Sequence, residues 1–257
     1  MKTPVDWEVH YRQYKNAMSG NRKLRDAWFT REITQHLHRP LQDDLDWLTK
    51  ALKDSRKKWF VAAIAARTEQ LADSLFLPLM RAAIEEVNPS ANRAFVEPCI
   101  RAYGTRRVNE HLLDVLETGE PFEQAGAVNA LYWANVRLTF IGSVPEFTLE
   151  HATPESRAEY EAMYDILHRK RMLYLECFVS SKDVNVQRSL IAGLNLDPDA
   201  YPDSHKPLVD KAINLARSHE DEYIRHRVEV QLGTERMLKP LPHRKTETRD
   251  SDQHDED

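Results

Sequence analysis

The sequence predicts an all-α fold of stacked helical hairpins, and three observations carry that reading. The first is a recurring unit in which an apolar helix ends in a short acidic or polar turn and a second helix opens with an early basic residue. The turns fall at Leu52-Lys53-Asp54-Ser55-Arg56, Val87-Asn88-Pro89, Glu117-Thr118-Gly119-Glu120, Lys182-Asp183 and Glu220-Asp221. They stand about 32 to 38 residues apart, with one double-length gap between Gly119 and Asp183 that has room for a further copy and an insertion. Self-similarity at such a period marks a repeat array. Second, seven glycines in 257 residues and no series of short alternating strands argue against a β-rich fold. Third, a single hairpin of this kind cannot bury its apolar face alone. The copies must therefore stack into one elongated core, whose concave side is a binding surface.

The elements follow in order. Asp6 suits the N-cap of a helix over 7–18, Ser19-Gly20-Asn21 is a turn, and a helix over 22–38 stops before Pro40. In that helix Leu24, Trp28, Ile33 and Leu37 share one face, as a terminal helix packed on an array requires, so residues 1–40 are expected to cap it. Hairpins are expected over 43–53 and 56–67, 71–86 and 90–103, and 106–117 and 122–135. Their short connections make antiparallel neighbours. Thr139 to Ser156, with Gly142, Pro145, Pro154 and the β-leaning Phe147-Thr148-Leu149, reads as a long loop. It is either functional or an insertion that covers the core edge. One long helix is expected over 155–180, then 184–194, a turn-rich linker through Pro198 and Pro202, and helices over 205–217 and 221–238. The array thus spans 41–240, with a tail at 241–257.

Charge and cysteine content narrow the classes. Residues 243–257 hold three basic and six acidic side chains and no apolar one, so they account for most of the net charge of −5. Such a segment cannot offset the entropy of its own ordering and is expected to be disordered. The favoured reading is a solubilising terminus, and the other is an acidic interaction tail. No run approaches the roughly 20 apolar residues of a membrane span, and Met1 to Trp7 lacks the apolar core of a signal peptide, so a cytoplasmic protein is expected. Cys99 and Cys177 have no zinc-site spacing and are expected to be buried thiols. A Gly-x-Ser-x-Gly elbow and a Gly-rich phosphate loop are both missing, so nucleophilic and nucleotide chemistry find no support.

Two segments carry a family resemblance. Asp183-Val184-Asn185-Val186-Gln187-Arg188 through Leu194 and Asp221-Glu222-Tyr223-Ile224-Arg225 through Gly233 resemble HEAT repeats, with looser matches at Asp54 with Arg56 and Asn88 with Arg93. The resemblance covers roughly residues 43–238. It implies a right-handed α–α superhelix, an armadillo-like solenoid, in which an Asp closes each turn and an Arg opening the second helix reaches a neighbouring turn. It also implies a binding scaffold more often than an enzyme. Deoxyhypusine hydroxylases share this architecture but hold two irons on His-Glu pairs within helices. Here Arg225-His226-Arg227 has lost the Glu, and His219-Glu220 falls in a turn, so no metal or cofactor is expected. Alkylpurine DNA glycosylases built on HEAT-like repeats are the alternative reading. Trp59 beside Arg56-Lys57-Lys58, and Trp133 near Arg137, with Asp114 or Glu123 as carboxylate, are the candidates for holding a flipped base. The body of the chain is nearly neutral, which disfavours a DNA-binding enzyme.

The reading preferred from sequence is a scaffold or adaptor binding a macromolecule, above all a protein, with no catalytic residue. Its expected partner-binding lining on the concave face is Arg56, Lys57, Trp59, Arg93, Trp133, Arg137, Arg188 and Arg225. Arginines so placed also commonly pair with the preceding repeat's Asp, as Asp54, Asp183 and Asp221 would allow, and the sequence favours that use. Arg106-Arg107 and Arg169-Lys170-Arg171 are expected to be solvated or near helix ends. Trp59-Phe60, Phe76, Phe95, Tyr103, Tyr132-Trp133 and Tyr174 are expected in the core, although neighbours such as Tyr132 and Trp133 diverge by about 100°, leaving one partly outside.

Overall fold

The computed structural model describes residues 5–19, 31–142 and 148–234, and these are all-helical, with a single isolated antiparallel bridge between Phe140 and Ala152. Caps mark the helix starts. Asp6 accepts from the Val9 N–H at 3.0 Å to open α1 (Trp7–Met18). α2 (Arg31–His38) buries Ile33 and Leu37 completely. Leu24 and Trp28, expected on the same face, lie outside the described residues, as does the tail at 241–257. α3 (Gln42–Lys53) and α4 (Lys57–Ala65) meet at Asp54, which accepts from the N–H groups of Arg56 at 2.8 Å and Lys57 at 2.9 Å.

The next two hairpins start later or closer together than their periodicity suggests. α5 (Phe76–Ile84) follows a 3-10 turn at Asp73–Leu75, because the Ala72 N–H bonds outward to the Leu37 carbonyl at 2.9 Å. α6 (Arg93–Tyr103) and α7 (Thr105–Thr118) are separated by Gly104 alone, whose φ of 86° lies in the left-handed region that glycine occupies without strain. α8 (Pro121–Trp133) opens with proline in its first turn and with the Glu120 N–H donating to the Glu123 carboxylate at 3.0 Å.

One expected helix is two. The segment read as a single helix over 155–180 breaks at Met163 into α9 (Pro154–Ala162) and α10 (Tyr164–Ser180). Arg106 of α7 holds the break open. Its guanidinium donates to the Ala162 carbonyl at 2.5 Å and to both Asp165 oxygens at 2.8 and 2.9 Å, so groups freed by the break are satisfied from another helix. The 139–156 loop folds back on itself, with Ile141 N–H donating to the His151 carbonyl at 3.0 Å and Thr153 N–H to the Thr139 carbonyl at 2.7 Å. Phe147 lies outside the described residues. Between α8 and α10 the described residues therefore hold this loop and one short helix rather than another hairpin. α11 (Val184–Ile191), α12 (Lys206–Arg217) and α13 (Glu222–Gln231) complete the chain, with Asp183 and Asp221 as N-caps.

Packing follows chain order. α3 pairs with α4, α5 with α6, α7 with α8, α10 with α11 and α12 with α13. The second helices of these pairs also pack in sequence, α4 on α6, α6 on α8, α8 on α11 and α11 on α13. Among the first helices, α3 packs on α5, α7 on α10 and α10 on α12. Phe60, Phe95, Leu112, Leu131, Phe178 and Leu190 are fully buried along this line, each worth about 1.5–3 kcal/mol relative to exposure. Gly126 sets how closely α8 lies on α5, since a Cβ there would stand 2.1 Å from the Ile84 carbonyl oxygen. Cys99 is buried and Cys177 half-buried, both as free thiols, and burial pushes them up to about 12 and about 11.

At the N-terminal end a buried carboxylate ties three helices together. Asp44, 1% exposed, accepts from Trp7 Nε1 at 2.8 Å, from the Leu41 N–H at 3.0 Å and, more weakly, from the Val5 N–H at 3.4 Å. His36 Nδ1 stands 2.8 Å from its other side. Trp7 stacks on Trp47 with centroids 5.8 Å apart, and Phe60 meets both rings edge-on.

Candidate binding groove on the second-helix side

A groove of about 800 Å³ crosses α8, α10, α11 and α13. Each helix contributes residues one turn apart, as a helical face must. α8 supplies Val128, Asn129, Tyr132 and Trp133, α10 supplies Lys170 and Tyr174, α11 and its C-cap supply Arg188, Ser189 and Ala192, and α13 supplies Tyr223 and Arg227. Pro89 and Ser90 form one rim, ahead of α6. None of the described lining residues is an aspartate or glutamate.

Cations and rings alternate along the groove. Arg93 stands 5.4 Å from the Trp133 centroid, Lys170 5.4 Å from Tyr174 and Arg188 5.2 Å from Tyr223, distances at which a ring face attracts a cation. Tyr132 is the most open of the rings, 68% exposed, and lies edge-on to Trp133 with centroids 5.0 Å apart. Trp133 is fixed by its Nε1, which donates to the Pro89 carbonyl at 2.7 Å. Across its other side lies a smaller hollow of about 270 Å³ that includes Glu97 and Arg137.

The eight residues expected to form one lining divide into three groups. Trp133 and Arg188 line the groove and Arg93 backs it. Arg93 also pairs with Glu97 at 3.2 Å, and Arg137 stands 3.5 Å from the same carboxylate in the neighbouring hollow. Arg56, Lys57, Trp59 and Arg225 are elsewhere. Lys57 binds Glu8 and lies 5.5 Å from both Tyr11 and Trp47, so it fastens α1 to α4. Trp59 packs on Phe95 with centroids 5.4 Å apart. Arg225 donates to the His219 carbonyl at 2.5 Å and the Glu220 carbonyl at 2.7 Å, closing the turn before its own helix.

Links between successive turns are present, though not all where the sequence places them. Arg188 reaches a neighbouring turn, but forward to Asp221 at 2.8 Å rather than back to the preceding repeat. The burial of Asp221 works against its charge, but the Ile224 N–H and Arg188 hold its carboxyl below the ordinary carboxylate value. At the first hairpin Lys58, not Arg56, reaches the next turn, bonding Glu86 at 2.5 Å, while Asp54 is spent on backbone N–H groups.

The groove draws together residues that the sequence places in the core, at its edge or on solvated faces. Tyr132 is mostly outside the core, Tyr174 lines the groove from a buried position, and Lys170 is not on a solvated face. In the Arg169-Lys170-Arg171 triplet, Arg169 pairs with Asp114 and Glu117 at 2.8 and 2.6 Å, and Arg171 donates to the Ala200 carbonyl at 2.8 Å. Only the middle residue turns inward. Helical spacing was the available signal, because Lys170 and Tyr174 are one turn apart, as are Arg188 and Ala192.

No family model, curated protein or solved structure matches the chain. Its groove must therefore be read from chemistry alone. Four rings and three cations without a lining carboxylate attract an anionic group that also presents an apolar or planar surface. Among the described residues no cluster of His, Cys, Asp or Glu could hold a metal ion, and no helix is long and apolar enough to cross a membrane.

Proposed function

We propose that the chain is a HEAT-like, right-handed α–α superhelix that acts as a scaffold or adaptor, holding an acidic segment of a partner protein in the groove across α8, α10, α11 and α13. The observation that carries this reading is the composition of the groove, rich in rings and cations and without a lining carboxylate. The ordered packing of successive second helices and the Arg188–Asp221 link between turns support the superhelix. A protein segment suits the groove because rings and arginines concentrate binding energy at interfaces, and carboxylates on the partner would complement the cations.

The alternative, a base-excising enzyme, needs a carboxylate beside the aromatic and guanidinium groups. Asp114 is engaged with Arg169 between α7 and α10, and Glu123 caps α8, so neither accompanies Trp133 in the groove.

The test is capture of the tagged protein from its native extract, wild type beside a Tyr132→Ala, Arg93→Gln variant. The expected result is a stoichiometric acidic partner lost from the variant while the melting temperature is kept. Equal recovery of the same partner by both proteins would refute the groove as its site. A salt-sensitive shift of oligonucleotides without a protein partner would favour the nucleic-acid reading.

A further inference from the structure

The groove leaves one charge unmatched. Lys170 is half-buried in its wall, with Nζ 2.7 Å from Asn135 Oδ1 and 3.4 Å from the Leu131 carbonyl oxygen. Both partners are neutral. From Lys170 the wall continues through Tyr174, which lies 3.0 Å from the position a Cβ on Gly193 would take. It then reaches Ala192, whose carbonyl accepts from Arg227 at 3.3 Å. The Nε of Arg227 is buried there without a hydrogen-bond partner. One ammonium and one guanidinium from separate helices thus border a hollow that offers them no lining carboxylate.

Building on the groove reading above, we propose that Lys170 and Arg227 form a subsite for an oxyanion, a phosphate or carboxylate group, carried by the bound partner. An oxyanion here would give Lys170 the counter-charge it lacks and meet the guanidinium of Arg227 where it lines the groove, and hydrogen bonds between charged groups are the stronger kind. Tyr132 and Trp133 provide ring surface for whatever carries the group.

Burial alone pushes the Lys170 ammonium down to about 8, as expected of a desolvated cation without a counter-ion. Several charged groups on and around α10 are paired with one another. Asp114 and Glu117 of α7 hold Arg169, Asp165 holds Arg106 beside α9, and His205 ahead of α12 meets Glu176. Across the groove Arg188 of α11 is shared with Asp221, and Tyr223 and Arg227 project from α13.

The test is methyl NMR of the reductively methylated protein, with the Lys170 signal assigned by its loss in Lys170→Arg. Its titration midpoint is measured in chloride, inorganic phosphate and glutarate at equal ionic strength. The expected result is a rise of about half a unit or more with an oxyanion, because a nearby opposite charge favours the charged amine, and loss of that rise in Arg227→Gln. A rise with phosphate alone assigns a phosphate-bearing group, and a rise with glutarate assigns a carboxylate. Equal midpoints in all three salts would overturn the subsite even if a partner still occupies the groove. A rise without any groove-dependent partner would keep the subsite and remove the scaffold reading. Lys170→Met supplies a second check, since a cation that serves a ligand leaves the melting temperature unchanged or higher, whereas a marked fall would make Lys170 structural and overturn the proposal.

Discussion

Asp44 and Lys170 are both charges drawn away from water, and the two ends of the molecule treat them in opposite ways. Asp44 receives backbone and side-chain donors from α1, α2 and the start of α3, so its burial is compensated within the chain. Lys170 has a side-chain amide, a carbonyl and a ring face, and no described carboxylate lines the groove around it. The difference separates a charge that organises the fold from one left available to something outside it. Burying a charge costs heavily unless it is paired, and at Lys170 the groove leaves that cost standing.

The comparison breaks most visibly at Asp44. Asp44→Ala leaves the Trp7 indole N–H and the Leu41 N–H without their acceptor, and urea unfolding should show a loss of about 3–5 kcal/mol, the usual result of removing one member of a buried charged network. A loss no larger than that of an exposed substitution would mean that the node contributes little. Gly126→Ala comes next. Its Cβ would meet the Ile84 carbonyl oxygen at 2.1 Å and force α8 off α5, lowering stability by about 1–3 kcal/mol as overpacking does. Because α8 also carries Tyr132 and Trp133, partner binding should fall with it, and unchanged binding would show that the groove tolerates displacement of that wall.

The smallest effects are in pH dependence, where the two charges respond at opposite ends of the scale. Burial would raise the Asp44 carboxyl, but the bonds from His36, Leu41 and Trp7 hold it below its ordinary value. Its contribution is therefore complete above the unfolded-state carboxyl range of about 3.9 and is lost as pH falls through the lower folded value. Lys170 is lowered to about 8 from 10.5, so within that interval the unfolded chain binds the extra proton and stability rises with pH. Melting temperatures of wild type and Lys170→Met across this interval should converge as pH increases. Parallel curves would show that the amine is not desolvated.

The helical hairpins were legible because their signals are local. Asp6, Asp183 and Asp221 cap the helices they precede, and Pro121 stands in the first turn of α8. The break at Met163 was not legible, since Arg106 stabilises it from more than 50 residues away and nothing near Met163 interrupts the apolar pattern. The groove was partly legible for the same reason. A basic residue near a turn is visible in sequence, but whether it reaches the next turn, as Arg188 does, or closes its own, as Arg225 does, depends on helix rotation. In Arg169-Lys170-Arg171 identical charge patterns conceal three fates, which only the positions of Asp114, Ala200 and Asn135 distinguish.

The docking of α1 has a consequence for biosynthesis. Its partners, Asp44, Trp47, Lys57 and Phe60, all follow it in the chain. About 40 residues separate Met18 from Phe60, which at about 5–20 residues per second is on the order of 2–8 s of translation. Until that interval ends, Trp7 lacks part of this set of contacts, and before Asp44 is made it lacks all of them. α1 is thus unable to complete its docking until α4 has been synthesised, and a nascent chain halted before residue 57 should leave α1 open to chaperones and proteases.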